Sequence, residues 1–355
     1  MAKSLSVATI KKLDKSKMLE LLLDFPLQLR IARDLAAKSN IMFAKKDFSR
    51  IVFAGLGGSA IGADLVCSYL YFESNIPIQV VREYDLPACV DSSTLVFISS
   101  YSGNTEETLS AYNQARQKGA IIIAISSGGS LKEYCRRDNV TFIEVPPGLP
   151  PRCSLGYLSM IPLCTLARLG LAKDPASSIE RAAKLLEELR DKKLNPAVAV
   201  KDNVAKYVAA KLYNKFAVIY APSVHFDTVA RRWRGQLNEN AKSLASTHLF
   251  PEMNHNEIVG WEHPKKLFKD FLVILLRDRG SNPRVNKRMD ITREIISKEN
   301  VKTLEVYSQG EGLLSRILSL IYIGDFVSLY LAILYGIDPV PVARVSYLKK
   351  KLAES

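Results

Sequence analysis

The sequence predicts an α/β protein: two tandem parallel sheets, each covered by helices on both faces. Two observations carry this. Short apolar strands alternate with helical segments between residues 48 and 150. The same texture returns between residues 213 and 338, with no residue-level identity to the first stretch and no low-complexity linker between them. Ligands of such sheets sit at the carboxyl ends of the strands.

The elements follow in order. Residues 1–47 read as helices, with a 3.6-residue periodicity in "KMLELLLDFPLQLRIARDLAAK" that breaks at Pro26. "RIVFAGLG" is a strand and "GSAIGADLVCSYLYFE" a helix. "IPIQVVRE" and "TLVFISS" are strands, and "NTEETLSAYNQARQKG" is a helix with Thr105 or Asn104 as its cap. "AIIIAISS" and "VTFIEVP" complete the first sheet, and "VPPGLPPR" closes it. Helices fill the stretch from 154 to 212. The second sheet then draws on "KFAVIYAP", "FLVILLRD" and "VKTLEVY". Its helices are "FDTVARRWRGQLNENAKSLA", "NKRMDITREIISKE" and a long one over 313–336. The expected domains are 1–47 (helices), 48–153 (first α/β domain), 154–212 (helical connection) and 213–355 (second α/β domain).

Composition narrows the function. The chain has 355 residues, 48% of them apolar, and a net charge of +13. That charge favours anionic partners. The basic residues are dispersed ("KKLDKSK", "RRWR", "NKR", "LKKKL") without aromatic alternation, so no nucleic-acid partner is expected. Cys67, Cys89, Cys135, Cys153 and Cys164 form no CxxC and no metal-ligand spacing, which suits reduced thiols in a cytoplasmic protein with no metal. No apolar signal-peptide stretch is present near Met1. Residues 317–337 are long and apolar enough to span a membrane. Gly324, Asp325, Ser319 and Ser328 interrupt them, and a charge at membrane depth is costly. A buried core helix is expected instead, with a dimer contact as its further role.

"FAGLGGSAIGADLV" admits two anions. Gly55, Gly57 and Ala60 fit a dinucleotide fingerprint, and Glu83 closes the next strand where a ribose-binding acid would stand. The third strand discriminates. It ends in "SSYSGNTEET", which gathers Ser100, Ser102, Asn104 and Thr105 before a helix. Hydroxyls, backbone N–H groups and a helix N-terminus make a compact cradle for a phosphate monoester. A dinucleotide enzyme needs no such second loop.

These motifs carry a family resemblance. "GLGGSAIG" and "SYSGNTEET" resemble the phosphosugar loops of the sugar isomerase (SIS) domain. With "PPRCSLGY", "NENAK", "NHNEIVGW" and "GDFVSLYLAILYGIDPVPV", the chain resembles the bifunctional phosphoglucose/phosphomannose isomerases from residue 55 to about 350. The resemblance implies two SIS-type, flavodoxin-like sheets and a cofactor-free aldose–ketose isomerase acting on hexose 6-phosphates through a cis-enediol. It implies a phosphate held by Gly57, Gly58, Ser59, Ser100, Ser102 and Thr105. Glu239 falls on the family's proton-transferring glutamate. His255 falls on its ring-opening histidine, contributed across a homodimer interface. Arg152 matches the arginine beside the C1 and C2 oxygens, and Lys349 a C-terminal lysine that contacts the sugar. One departure stands out: "DPVPV" places Val340 where the family often has Thr.

Unaided, the residues support blander readings. Glu239 would be a surface carboxylate, His255 a capping histidine and Arg152 a solvated cation. The competing functions are a non-catalytic SIS-type sugar-phosphate regulator, a different SIS sugar-phosphate isomerase, and a nicotinamide enzyme.

Overall fold

The computed structural model describes residues 4–43 and 47–354. Residues 1–3 and 44–46, at the edges of the expected N-terminal helical segment, lie outside the described residues. The chain forms two compact units. The first comprises Asp24–Leu185 with Glu311–Ser315, and the second Met1–Leu23, Leu186–Gly310 and Arg316–Ser355.

Helices α1 (Val7–Leu13), α2 (Met18–Leu23) and α3 (Phe25–Lys38) come first. The expected break at Pro26 falls instead at Asp24. Pro26 lies in the first turn of α3, where its missing N–H leaves no helical acceptor unsatisfied.

The sheet of the first unit is built from β1 (Arg50–Ala54), α4 (Gly57–Leu70), β2 (Ile78–Val81), β3 (Thr94–Ser99), α5 (Glu106–Gln117), β4 (Ile121–Ser126), α6 (Gly129–Asp138) and β5 (Thr141–Glu144). The strands are parallel in the order β2-β1-β3-β4-β5, with Ala54 level with Ile98. Alternate residues of β1, β3 and β4 pack on α5 and α6 through Val52, Val96, Ile122, Ala111, Tyr112 and Leu131. The opposite face is equally buried, with Phe53 stacked on Phe97 at 4.8 Å. Helix α6 escaped the sequence reading because Gly128 and Gly129 open it and charged residues fill it. Helix α7 (Leu155–Arg168) packs on α3 and α4, and α8 (Ala176–Leu189) follows. Gly62 allows the contact with α7, since a Cβ there would lie 2.5 Å from the Leu158 carbonyl.

The second unit continues through α9 (Val204–Leu212), β6 (Phe216–Pro222), α10 (Asp227–Glu239), β7 (Ala245–Phe250), β8 (Phe271–Arg277), α11 (Pro283–Lys298), β9 (Lys302–Tyr307), α12 (Leu313–Tyr335) and α13 (Ala343–Ala353). Its four strands are parallel in the order β7-β6-β8-β9, so β6 and β8 repeat the placement of β1 and β3. One expected helix is corrected here. It stops at Glu239 rather than running on to Ala245, and Ala245–Phe250 is the edge strand beside β6. Lys242 turns the chain with a positive φ of 54°, and "ASTHLF" is only half-buried and lacks apolar alternation. Helix α12 is apolar enough to cross a membrane by length and composition, its most apolar 18-residue stretch having a mean hydropathy of 2.1, but that stretch is wholly buried inside the protein. It is a core helix, as expected.

Candidate active site

The phosphate-binding candidates lie where β1 and β3 end, at the point where the strand order reverses. Helix α4 starts at Gly57, whose φ of +52° opens the turn and whose missing Cβ would meet nothing within 4 Å. Gly55 is required by packing, because a Cβ there would sit 2.6 Å from the Ser99 carbonyl oxygen. Ser59 lies in the first turn of α4 and is buried. No side chain of the N-cap residue caps α4, and the Ser59 N–H donates to the Leu56 carbonyl at 3.0 Å; an uncapped helix start of this kind can meet an anion with its first N–H groups.

The second loop is arranged differently from the expectation. Thr105 occupies the N-cap position of α5, yet its side chain does not cap the helix. Its Oγ1 accepts a hydrogen bond from the buried Ser100 hydroxyl at 2.9 Å. Ser100 Oγ in turn accepts from the Gly103 N–H at 3.1 Å. Asn104 turns away and accepts from the Ser130 N–H at 2.9 Å, capping the neighbouring α6. The start of α5 is therefore left to its own N–H groups, beside an exposed Ser102. Ser100 acts as a strut under the loop, while Ser102 is presented on top.

A third loop, which the sequence reading passed over, fixes this shape. At Gly103, with φ +73°, a Cβ would lie only 1.8 Å from the Gly128 carbonyl oxygen. Gly129, with φ +69°, meets the Ser102 carbonyl in the same way at 2.5 Å. Ser127 Oγ donates to the Tyr101 carbonyl at 2.7 Å. The sequence signal was available in "SSGGS", a glycine pair directly after a strand.

Arg152 belongs to this unit and comes to the same loops. It lies in the 3₁₀ turn Pro151–Cys153 and is buried, 5% exposed. A Cβ on Gly58 would be 2.5 Å from the Pro151 carbonyl and 3.1 Å from the Arg152 nitrogen. The turn is thus pressed against the start of α4. Tyr101 anchors the approach: its hydroxyl donates to the Pro146 carbonyl at 2.8 Å and accepts from the Leu149 N–H at 2.9 Å. Burial raises the Tyr101 phenol above its ordinary range, so it stays a neutral donor. Gln28 Nε2 donates to the Cys153 carbonyl at 2.8 Å from the other side.

The acid–base candidates lie in the second unit. Glu239 is the last residue of α10 and is half-buried. Asn240 follows it, buried, with Nδ2 donating to Ser328 Oγ at 2.9 Å. Lys242 Nζ donates to the Pro339 carbonyl at 2.7 Å, joining "NENAK" to "DPVPV". Val340 is half-buried in that segment. His255 ends the 3₁₀ turn Glu252–His255 and is exposed. Its neighbours are anchors. Asn254 donates to Thr292 Oγ1 at 2.8 Å, and the Tyr220 hydroxyl donates to Glu257 at 2.6 Å and accepts from Trp261 Nε1 at 3.0 Å. "NHNEIVGW" therefore holds itself down at Asn254, Glu257 and Trp261 and presents His255. Lys349 is exposed on α13. Of the three consecutive lysines, Lys350 and Lys351 reach Glu354 at 4.0 and 2.8 Å. Lys349 has no ion pair among the described residues.

Among the described residues no three His, Cys, Asp or Glu side chains are grouped to hold a metal ion.

Residues 42–152 match the SIS domain, and residues 201–352 match the bacterial phospho-glucose isomerase C-terminal SIS domain. A bifunctional phosphoglucose/phosphomannose isomerase of Caldicellulosiruptor bescii is 46% identical over 95% of this chain and 99% of its own length. The chain belongs to the bifunctional phosphoglucose/phosphomannose isomerase family. An Aquifex aeolicus member is 38% identical over 86% of this chain and 91% of its own length. Among solved structures, a hypothetical protein from Thermus thermophilus superposes with a TM-score of 0.75 at 14% identity, covering 98% of this chain and 92% of that one. At that identity it shows the SIS-type fold alone. Family membership disfavours the regulator and nicotinamide readings.

Proposed function

We propose that this protein interconverts glucose 6-phosphate and mannose 6-phosphate with fructose 6-phosphate, as an aldose–ketose isomerase. The observation that carries this is the 46% identity to a bifunctional isomerase along nearly the whole of both chains. The open cradle at the ends of β1 and β3 supports it, because both aldoses and the ketose offer the same phosphate.

The proposed roles follow the chemistry. The N–H groups of Gly57 and Gly58 and the hydroxyls of Ser59, Ser102 and Thr105 hold the phosphate, over Ser100. His255 passes a proton to the ring oxygen and takes one from O1, opening the sugar; imidazole suits this because its pKa lies near neutrality. The Glu239 carboxylate removes the proton from C2 of the aldose, giving a cis-enediol. It returns that proton to C1 while the proton of the O2 hydroxyl passes to O1, so that C2 becomes the ketone carbonyl and O1 a hydroxyl. The Arg152 guanidinium stabilises negative charge developing on the C1 and C2 oxygens. Lys349 contacts the sugar. Glucose and mannose phosphates differ only at C2, so one enediol serves both. The route draws on side chains alone and requires neither metal nor nucleotide.

We further propose a homodimer in which His255 serves the partner's site; its exposure on a braced surface turn suits that role. The five cysteines, with no disulfide among the described residues, suit a reducing compartment, and the cytoplasm is the proposed location. The testing experiment is fructose 6-phosphate formation from each aldose phosphate, with and without chelator. Turnover of both, unaffected by chelator, is expected. No turnover, or turnover abolished by chelator, contradicts the reading.

A further inference from the structure

Helix α12 carries one charged residue deep in its buried stretch, Asp325, 2% exposed. Arg232 of α10 meets it with two hydrogen bonds, Nε to Oδ1 at 3.1 Å and Nη2 to Oδ2 at 2.8 Å. Gln236, one turn further along α10, donates to the same Oδ1 at 2.9 Å. Arg232 and Gln236 are themselves 4% and 2% exposed. Between them, Trp233 donates its indole N–H to the Leu320 carbonyl at 2.8 Å. It also lies flat against Gly324, where a Cβ would be 2.3 Å from Nε1. One turn beyond Gln236, Asn240 holds Ser328 Oγ, which itself donates to the Asp325 carbonyl at 2.6 Å. Three residues of α10 and its C-cap Asn240 are thus fixed to one patch of α12, and the last two of the four, Gln236 and Asn240, flank Glu239.

Burial of this pair has a physical cost. Desolvation of two ions is often not recovered by their attraction, and well-packed apolar residues of similar volume commonly serve stability as well or better. Apolar residues at 232 and 325 would bury the helices against each other but would not fix their register or rotation. Directional hydrogen bonds do both. A base must be held to within a fraction of an ångström of its proton, and small misplacements are expensive in rate.

We propose that Asp325 is a positioning residue: its carboxylate through Arg232 and Gln236, and its main-chain carbonyl through Ser328 and Asn240, fix the end of α10 and so the aim of Glu239. This rests on Glu239 being the proton-transferring base. The test pairs three variants with the parent enzyme. Arg232→Met/Asp325→Leu replaces the ion pair with apolar volume. It is expected to keep a thermal midpoint close to the parent's while kcat falls at least tenfold and KM for glucose 6-phosphate changes less than twofold. Ser328→Ala removes the hydroxyl that joins Asn240 to the Asp325 carbonyl and is expected to lower kcat several-fold, again with KM kept. Parental kcat in a folded double variant overturns the proposal. If the double variant does not fold, parental kcat in Ser328→Ala overturns it. Equal losses in KM and thermal midpoint without a kcat effect also count against it, because that pattern marks a purely structural pair. Glu239→Gln is the separate control. If it keeps parental kcat, the reading of Glu239 fails; if it is inactive while the other variants are fully active, only the positioning inference fails.

Discussion

After β3 the chain enters α5 through residues 100–105; after the equivalent strand of the second sheet, β8, it enters α11 through residues 278–282. The first loop ends in a helix with no side-chain cap, beside the exposed hydroxyl of Ser102. The second loop satisfies itself. Asn282 caps α11 by accepting from the Arg284 N–H at 2.8 Å, and Pro283 follows it. Asp278, 2% exposed, already places a carboxylate there and is held by Arg316 Nε at 2.9 Å and Ser308 Oγ at 2.5 Å. A phosphate arriving at the second loop would meet a fixed negative charge and a helix end already occupied. At these two equivalent positions the helix start is uncapped in the first unit and capped in the second. The acid–base candidates Glu239, His255 and Lys349 lie in the second unit.

The division of labour can be broken from either side. Glu239→Gln is expected to have the largest effect, a fall in kcat of roughly 10²–10⁴-fold with KM for either aldose phosphate little changed. Steady-state kinetics check this, and retention of more than about a tenth of the rate would remove Glu239 from the role of base. Ser102→Ala comes next. Loss of a hydrogen bond to a charged phosphate costs about 1.5–3 kcal/mol, so KM should rise roughly tenfold or more for both aldoses. Ser281→Ala, in the closed loop, should leave KM unchanged; a parallel rise in both variants would erase the contrast.

Asn282→Ala sharpens the comparison further. Loss of an N-cap costs about 1 kcal/mol, visible as a lower thermal midpoint, while kcat and KM at 25 °C stay at parental values. The smallest effect is alkaline. All five cysteines lie in the first unit, and burial raises the Cys135 and Cys164 thiols to about 12 from an ordinary 9.0. Their neutral forms are favoured in the fold. Their contribution is therefore full below the unfolded value and is lost as pH rises from 9.0 toward about 12. The thermal midpoint should fall as pH rises above about 9, and Cys135→Ala/Cys164→Ala should flatten that slope. An equal slope in the double variant would contradict the assignment.

Much of the fold was legible because buried parallel strands are continuous apolar runs; β3 and β8 could not be read otherwise. Strand β7 was hidden because an edge strand is half-solvated and "ASTHLF" has neither the run nor the alternation. Helix α6 was hidden by its glycines, although those same glycines pack against the Ser102–Gly103 turn. In the candidate site, the hydroxyl cluster of "SYSGNT" announced itself by composition, but not which hydroxyl is exposed. Ser100 and Ser102 look alike in sequence and are separated only by burial. Glu239 had no local signal at all and became visible through the family resemblance. Asp325 was legible as an objection to a membrane span, but its partners Arg232 and Gln236 stand about ninety positions earlier. No local pattern joins residues so far apart.

The most direct test is mixed-substrate kinetics, since two equivalent sheets could in principle serve two sugars. Fructose 6-phosphate formation is followed with glucose 6-phosphate and mannose 6-phosphate together. One open cradle predicts mutual competition, each sugar inhibiting the other with a constant equal to its own KM. Additive rates would place a second working site in the molecule and contradict the account.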